Sequence, residues 1–137
     1  MKLCSACLLG YKCRYDGKTK PNKKVLELSK KEDFIPVCPE EMGGLPTPRK
    51  PVEGGAKKLF SQDGRPPEKE FKRGAKKVLT LAKKYKIKEA ILKQRSPSCG
   101  NGQIYDGSFS GTIITGDGVT AALLKENGIT VLSEEEL

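Results

Sequence analysis

The residues best suited to chemistry in this chain are its five cysteines, Cys4, Cys7, Cys13, Cys38 and Cys99. An odd number of thiols argues against a disulfide framework. Cys4 and Cys7 form a C-x-x-C pair, whereas Cys38 and Cys99 stand singly and far apart. A thioredoxin-like pair would open a helix, but Leu8-Leu9-Gly10 follows. A zinc ribbon would need two close pairs. Buried core thiols suit Cys4, which lies within an apolar run. The remaining reading is a cluster held by single cysteines from separate loops, a donor set that fits iron–sulfur chemistry. Gly10, Pro39, Pro97 and Gly100 flank the candidate thiols and fix loop shape where backbone amides approach a cluster. Three ligands would leave one iron open as a Lewis acid; four would favour electron transfer or a structural role. The chain has no histidine, which excludes histidine zinc sites, Ser-His-Asp triads and histidine base catalysis.

These thiols need elements to bring them together. Residues 2–9 read as a strand entering a tight loop at Gly10. Residues 22–31 read as a helix capped by Asn22, with Val25, Leu26 and Leu28 facing inward. Residues 34–37 form a short buried strand ending at Cys38. Residues 43–51 are a Gly/Pro-rich loop, 52–60 carry no clear signal, and 63–67 make a turn. Over 68–85, Phe71, Ala75, Val78, Leu79, Ala82 and Tyr85 recur at helical spacing with lysines opposite. A strand follows at 90–92, an extended piece at 112–115, a helix capped by Asp117 or Thr120 and stopped at Gly128, and a strand at 129–132. Strands alternating with helices indicate one small α/β domain over residues 1–137. It should be a three-layer, Rossmann-like arrangement with a short, mostly parallel sheet. The loops carrying Cys7, Cys38 and Cys99 each follow a strand, so they should converge at the carboxyl edge of the sheet.

The net charge of +9, from 26 Lys and Arg against 17 Asp and Glu, suits either an anionic partner or a solvated lysine-rich surface. No leader or membrane-spanning stretch is evident. The expectation is a cytoplasmic protein, monomeric or weakly dimeric.

Several motifs occur together and in order: Ser5-Ala6-Cys7-Leu8-Leu9-Gly10, Cys13-Arg14-Tyr15-Asp16-Gly17, Pro36-Val37-Cys38-Pro39-Glu40, Gly43-Gly44-Leu45-Pro46-Thr47-Pro48-Arg49, Arg95-Ser96-Pro97-Ser98-Cys99-Gly100, Ile104-Tyr105-Asp106-Gly107 and Gly116-Asp117-Gly118-Val119-Thr120-Ala121-Ala122. Across nearly the whole chain they resemble the thiouracil desulfurase family in its stand-alone form. The resemblance implies a 4Fe-4S cluster held by Cys7, Cys38 and Cys99 with one iron open. It implies conversion of 2- or 4-thiouracil, or its nucleoside or nucleotide, to uracil and sulfide. Thiouridine in transfer RNA is an alternative substrate. An iron–sulfur or sulfur carrier, or a metal-stabilised RNA-binding module, is an alternative role. Cys4 is extra to the motif, and Cys13 belongs to it as a structural thiol beside the ligands.

Without histidine, carboxylates and hydroxyls must move protons. Glu40, two residues after Cys38, is the first candidate acid or base. Ser96, three residues before Cys99, resembles the family's active-site serine. Candidates for binding substrate are Ser5, Arg14, Tyr15, Asp16, Arg49, Ser98 and Tyr105. Each has a plain alternative: Ser96 as a turn hydroxyl, Asp16 as a turn carboxylate, Arg49 as an ion-pair partner, Tyr105 as a core residue.

Overall fold

A computed structural model describes all 137 residues. Its centre is a four-stranded sheet in the order β2-β1-β5-β8, in which every neighbouring pair is parallel. The strands are β1 (Lys2–Ser5), β2 (Phe34–Val37), β5 (Glu89–Leu92) and β8 (Thr130–Ser133). Two antiparallel hairpins lie outside it: β3 (Val52–Gly54) with β4 (Leu59–Ser61), and β6 (Gln103–Tyr105) with β7 (Ile113–Thr115).

The period of two in the central strands divides the core. Leu3, Ala90 and Leu92 face one side, where they meet Val78 and Ala82 of α3 (Glu68–Lys84) and Ala121 and Leu124 of α4 (Val119–Glu126). Cys4 and Ile91 face the other, against Leu8 and against Val25 of α1 (Lys23–Ser29). Helices on both faces of a parallel sheet make the expected Rossmann-like arrangement.

Local chemistry explains the element ends. Asn22 caps α1, its side chain accepting the Val25 N–H at 3.1 Å. Phe71, Ala75, Val78 and Ala82 are the buried stripe of α3. Leu26 and Tyr85, read as inward-facing, are exposed; Tyr85 lies just past the last turn of α3, where it caps the helix end. Strand β1 is shorter than residues 2–9 suggest, because Ala6–Leu9 winds into a 3-10 turn closed by Gly10 at φ 102°. Pro39 starts a one-turn helix, α2 (Pro39–Met42), directly after Cys38.

The start of α4 departs most from expectation. Neither Asp117 nor Thr120 caps it; Gly118 occupies that position. The free N–H groups of Val119 and Thr120 instead donate to the carbonyls of Pro97 and Ser98 at 2.9 and 2.8 Å, and Gly118 N–H donates to Gly100 O at 2.8 Å. The helix N-terminus is therefore docked on the loop that carries Cys99, which satisfies donors a side-chain cap would otherwise take. A Cβ at Gly118 would stand 2.4 Å from the carbonyl carbon of Ser98, so only glycine allows the approach. Thr120 is fully buried and its hydroxyl has no partner. Thr120→Val should consequently leave stability unchanged or raise it by about 1 kcal/mol, read as the midpoint of urea unfolding.

Candidate active site

The order β2-β1-β5-β8 reverses direction between β1 and β5, and at such a switch point the loops leaving adjacent strands part to open a crevice. Cys7 lies just beyond β1, Cys38 directly follows β2 as the residue before α2, and Cys99 sits in the loop after β5. All three line one pocket of about 240 Å³ together with Cys13. Among the other candidates, Ser5, Arg14, Tyr15, Glu40, Arg49, Ser96 and Tyr105 line it as well. Asp16 does not; it accepts the Lys18 N–H at 2.9 Å in a turn. Ser98 is buried beneath the wall and points its hydroxyl at Glu40 Oε2, 3.4 Å away.

Glu40 and Arg49 form the most buried charge pair of the site. Arg49 Nε donates to Glu40 Oε1 at 3.0 Å, with the two side chains 6% and 15% exposed in that order. The rest of the guanidinium is consumed by Pro46 O, Thr47 Oγ1 and Cys13 O at 3.1, 2.8 and 2.8 Å. Arg49 thus resolves as the ion-pair partner of Glu40. It fixes one carboxylate oxygen and ties the Gly43–Arg49 loop to the cysteine loops. Glu40 itself stands in the first turn of α2, where the helix dipole favours a carboxylate.

The serines bracket Cys99. Ser96 Oγ accepts the N–H groups of Ser98 and Cys99, both at 3.1 Å, so it shapes the turn while keeping its own proton available. Ser5 Oγ accepts the Lys93 N–H at 2.9 Å, which links the first cysteine loop to the third. Burial pushes the Cys99 thiol up to about 12, although Ser5 and Ser96 both bond to it and favour the thiolate. Cys4 is also raised by burial, to about 12. It sits in the core beneath the sheet and does not line the pocket. Cys38 is raised by its bond with Cys13 and by burial. A bond from Cys38 draws the Cys13 thiol down, but contact with Cys7 and burial outweigh it and leave Cys13 at about 11. Protonated buried thiols of this kind become good ligands once a metal displaces their protons.

Sequence reasoning missed the support of the third loop. Residues 134–136 form a 3-10 turn in which each carboxylate holds a part of that loop. Glu134 accepts the Gln94 N–H at 2.7 Å and pairs with Lys93 Nζ at 3.2 Å. Glu135 forks onto Arg95, whose φ of 64° is left-handed. Glu136 takes the Asn101 amide at 2.6 Å. Gln94 closes the loop by bonding Asn101 at both its N–H and its carbonyl. The run of three acids after a short strand was the available signal, but their partners lie 35 to 41 positions away. Glu134→Ala leaves Lys93 and Gln94 N–H unmatched in a buried setting and should cost about 3 kcal/mol of stability, measured by chemical unfolding.

The five cysteines are all free thiols, and no three His, Cys, Asp or Glu side chains are gathered so as to hold a single metal ion. Thiolates delivered from three separate loops to one pocket are the soft donors that an iron–sulfur group takes. The donor set and the crevice therefore fit an iron–sulfur group, with no competing imidazole in the chain.

A parallel α/β domain with a thiol-lined crevice and a clamped carboxylate at its carboxyl edge defines a class of iron–sulfur enzyme domain. The chain belongs to the 2-thiouracil desulfurase family, whose model matches residues 3–136. It is 43% identical to the uncharacterised protein YbbK of Bacillus subtilis (strain 168) over 147 residues, covering 100% of this chain and 97% of that protein. It is also similar to the solved structure of the 4Fe-4S-dependent thiouracil desulfidase TudS, with a TM-score of 0.92 and 43% identity over 99% of this chain and 91% of that one. No helix is long and apolar enough to cross a membrane.

Proposed function

We propose that the protein is an iron–sulfur-dependent desulfurase that converts a thiolated pyrimidine and water to the oxo-pyrimidine and hydrogen sulfide, and that it does so in a reducing cytoplasm. The observation that carries this reading is the convergence of Cys7, Cys38 and Cys99 from three strand ends on one pocket that also holds Glu40, in a chain of this family. These cysteines would hold a 4Fe-4S cluster. The three of them would leave one iron free of protein ligands. When bound, the cluster supplies a thiophilic Lewis acid for the thiocarbonyl sulfur.

The protein's own groups do the rest. Glu40 accepts a proton from the water that attacks the ring carbon; Arg49 holds one of its oxygens and leaves the other to face Ser98 and the pocket. Ser96, whose lone pairs are bound to two backbone N–H groups, has a hydroxyl proton to give to the ring or to the departing sulfur. Tyr15 and Tyr105 line the mouth and offer flat faces to a pyrimidine. Arg14 lies 5.9 Å from the Tyr15 ring centre, so it stiffens that wall.

A second reading of the substrate, thiouridine within transfer RNA, is favoured by one feature. The segment 11–20 passes the pocket through Cys13, Arg14 and Tyr15 and presents exposed Tyr11 and Tyr15 beside exposed Lys12, Lys18 and Lys20. Aromatic faces among cations suit a nucleic-acid strand.

Single replacements of the cysteines test the proposal. Cys7→Ser, Cys38→Ser and Cys99→Ser should each lose most bound iron and reduce sulfide release at least about 1000-fold, as loss of a catalytic unit does. Cys4→Ser should keep both. Full iron loading in the Cys38 or Cys99 variant would overturn the ligand set.

A further inference from the structure

Glu53 lines the pocket but has no part in the chemistry above; it is half-buried on β3. Its register partner on β4 is Phe60, so the two side chains leave the same face of the β3–β4 hairpin. The tip of the β6–β7 hairpin, residues 106–112, is seated on that face. Glu53 Oε1 accepts the N–H groups of Gly107 and Phe109 at 3.1 and 3.0 Å. Gly107 lies so close to the Phe60 ring that a Cβ there would stand 2.3 Å from it. The tip turns through left-handed backbone at Gly107, Phe109 and Gly111, with φ of 98°, 57° and 81°. That path curls two N–H groups toward one carboxylate oxygen, as in an anion-binding nest.

The other bonds of the tip are internal. Asp106 N–H donates to Thr112 O at 3.0 Å, and Asp106, Ser108, Ser110 and Thr112 bond among themselves. The two bonds to Glu53 are therefore the only hydrogen bonds that join residues 106–112 to the rest of the chain. The base of the hairpin has separate anchors on the loop that carries Cys99. Ile104 bridges Arg95, Arg95 Nη1 donates to Gln103 Oε1 at 2.8 Å, and Gly116 N–H donates to Gly102 O at 3.2 Å. Tyr105, the last residue of β6, stands between the anchored base and the tip and lines the same pocket as Glu53.

We propose that Glu53 is a positioning residue for Tyr105: its carboxylate latches the hairpin tip, and the latched hairpin holds the tyrosine ring in place against the pyrimidine. The proposal rests on the reading that Tyr105 receives the substrate ring. A two-stranded hairpin is marginal by itself, so the tip loses its order when the latch is removed. With the latch closed, the Tyr105 wall is ordered before substrate arrives. Without it, binding must supply that order, and affinity falls while the chemical step is untouched.

The test compares Glu53→Ala with Glu53→Gln in the full, cluster-loaded chain. Two quantities are read: amide hydrogen exchange over residues 106–112, and steady-state sulfide release from 2-thiouracil and 4-thiouracil. The glutamine keeps an oxygen for both N–H groups, and its NH2 replaces Oε2, which accepts no bond from the protein. Exchange and KM in Glu53→Gln should therefore match the parent. Glu53→Ala should exchange faster over the tip and raise KM about tenfold, within the range of one aromatic–base stack, with kcat and iron content at the parent values. Tyr105→Ala should raise KM by the same factor, and the double variant should be no worse than Tyr105→Ala alone, because the two act as one unit. Parent-like exchange in Glu53→Ala would overturn the latch. A raised KM in Glu53→Gln would show that the charge of Glu53 meets the substrate itself, and additive losses in the double variant would show that Glu53 acts apart from Tyr105; either overturns the proposal. Parent protein that releases no sulfide, with exchange in the variants as expected, would contradict the desulfurase reading and leave the latch standing, since the exchange comparison does not depend on turnover.

Discussion

Glu40→Gln should lower turnover by about 100- to 10,000-fold, the range for loss of a positioned acid or base, while iron content stays at the parent level. The amide keeps the shape of the side chain and an oxygen for Arg49 Nε, which now sits 3.0 Å from Glu40 Oε1. What it loses is the ability to take a proton. The loss should fall on kcat with little change in KM, because Glu40 acts on water rather than on the ground-state base. The measurement is steady-state sulfide release by cluster-loaded protein, with iron determined on the same samples. An equal fall in iron content would show that Glu40 supports the cluster fold instead.

The second large effect lies at a helix contact with no catalytic group in it. Gly74→Ala places a Cβ 1.8 Å from the carbonyl oxygen of Pro39, and a Cβ on Gly43 would stand 1.9 Å from Glu70 O. Helices α2 and α3 touch backbone to backbone through these two glycines. Backbone cannot give way as a flexible side chain can, so the cost should reach about 3 kcal/mol or more. The melting temperature should fall by about 10 °C. Because Pro39 stands between Cys38 and Glu40, any relief moves α2 and both of these residues. The variant should therefore bind less iron as well as melt earlier. A variant of normal stability and normal iron content would show that the contact opens without cost.

Much of the fold could be read because the relevant signals are local. The apolar run at residues 34–37 ends at Cys38, and the stripe of α3 repeats through four buried positions. Those patterns imply a parallel sheet, and a parallel sheet puts the loops of Cys7, Cys38 and Cys99 on one edge. Signals failed where three-residue strands carry too little periodicity. Segments 52–54 and 59–61 pair with each other, and β6 was hidden because its partner β7 leaves Ile113 and Ile114 exposed. The cap of α4 was misread for a different reason: its donors are satisfied by carbonyls about 20 positions upstream, and no local residue records that.

The site divides in the same way. Glu40 is placed by its two-residue distance from Cys38, which is a local fact. That Arg49 faces Glu40 depends on the path of the loop between them. The grip of Glu134, Glu135 and Glu136 on residues 93–101 depends on β8 lying beside β5. Charges can be counted from a sequence, but their partners follow only from the topology.

The most direct test of the account is the stoichiometry of sulfide release from 2-thiouracil and 4-thiouracil by protein reconstituted with iron and sulfide in the absence of oxygen. The account predicts one uracil for each sulfide, at a rate that rises with cluster occupancy and vanishes when iron is removed. Fully loaded protein that releases no sulfide from either base, or from a thiolated nucleotide or transfer RNA, would contradict it.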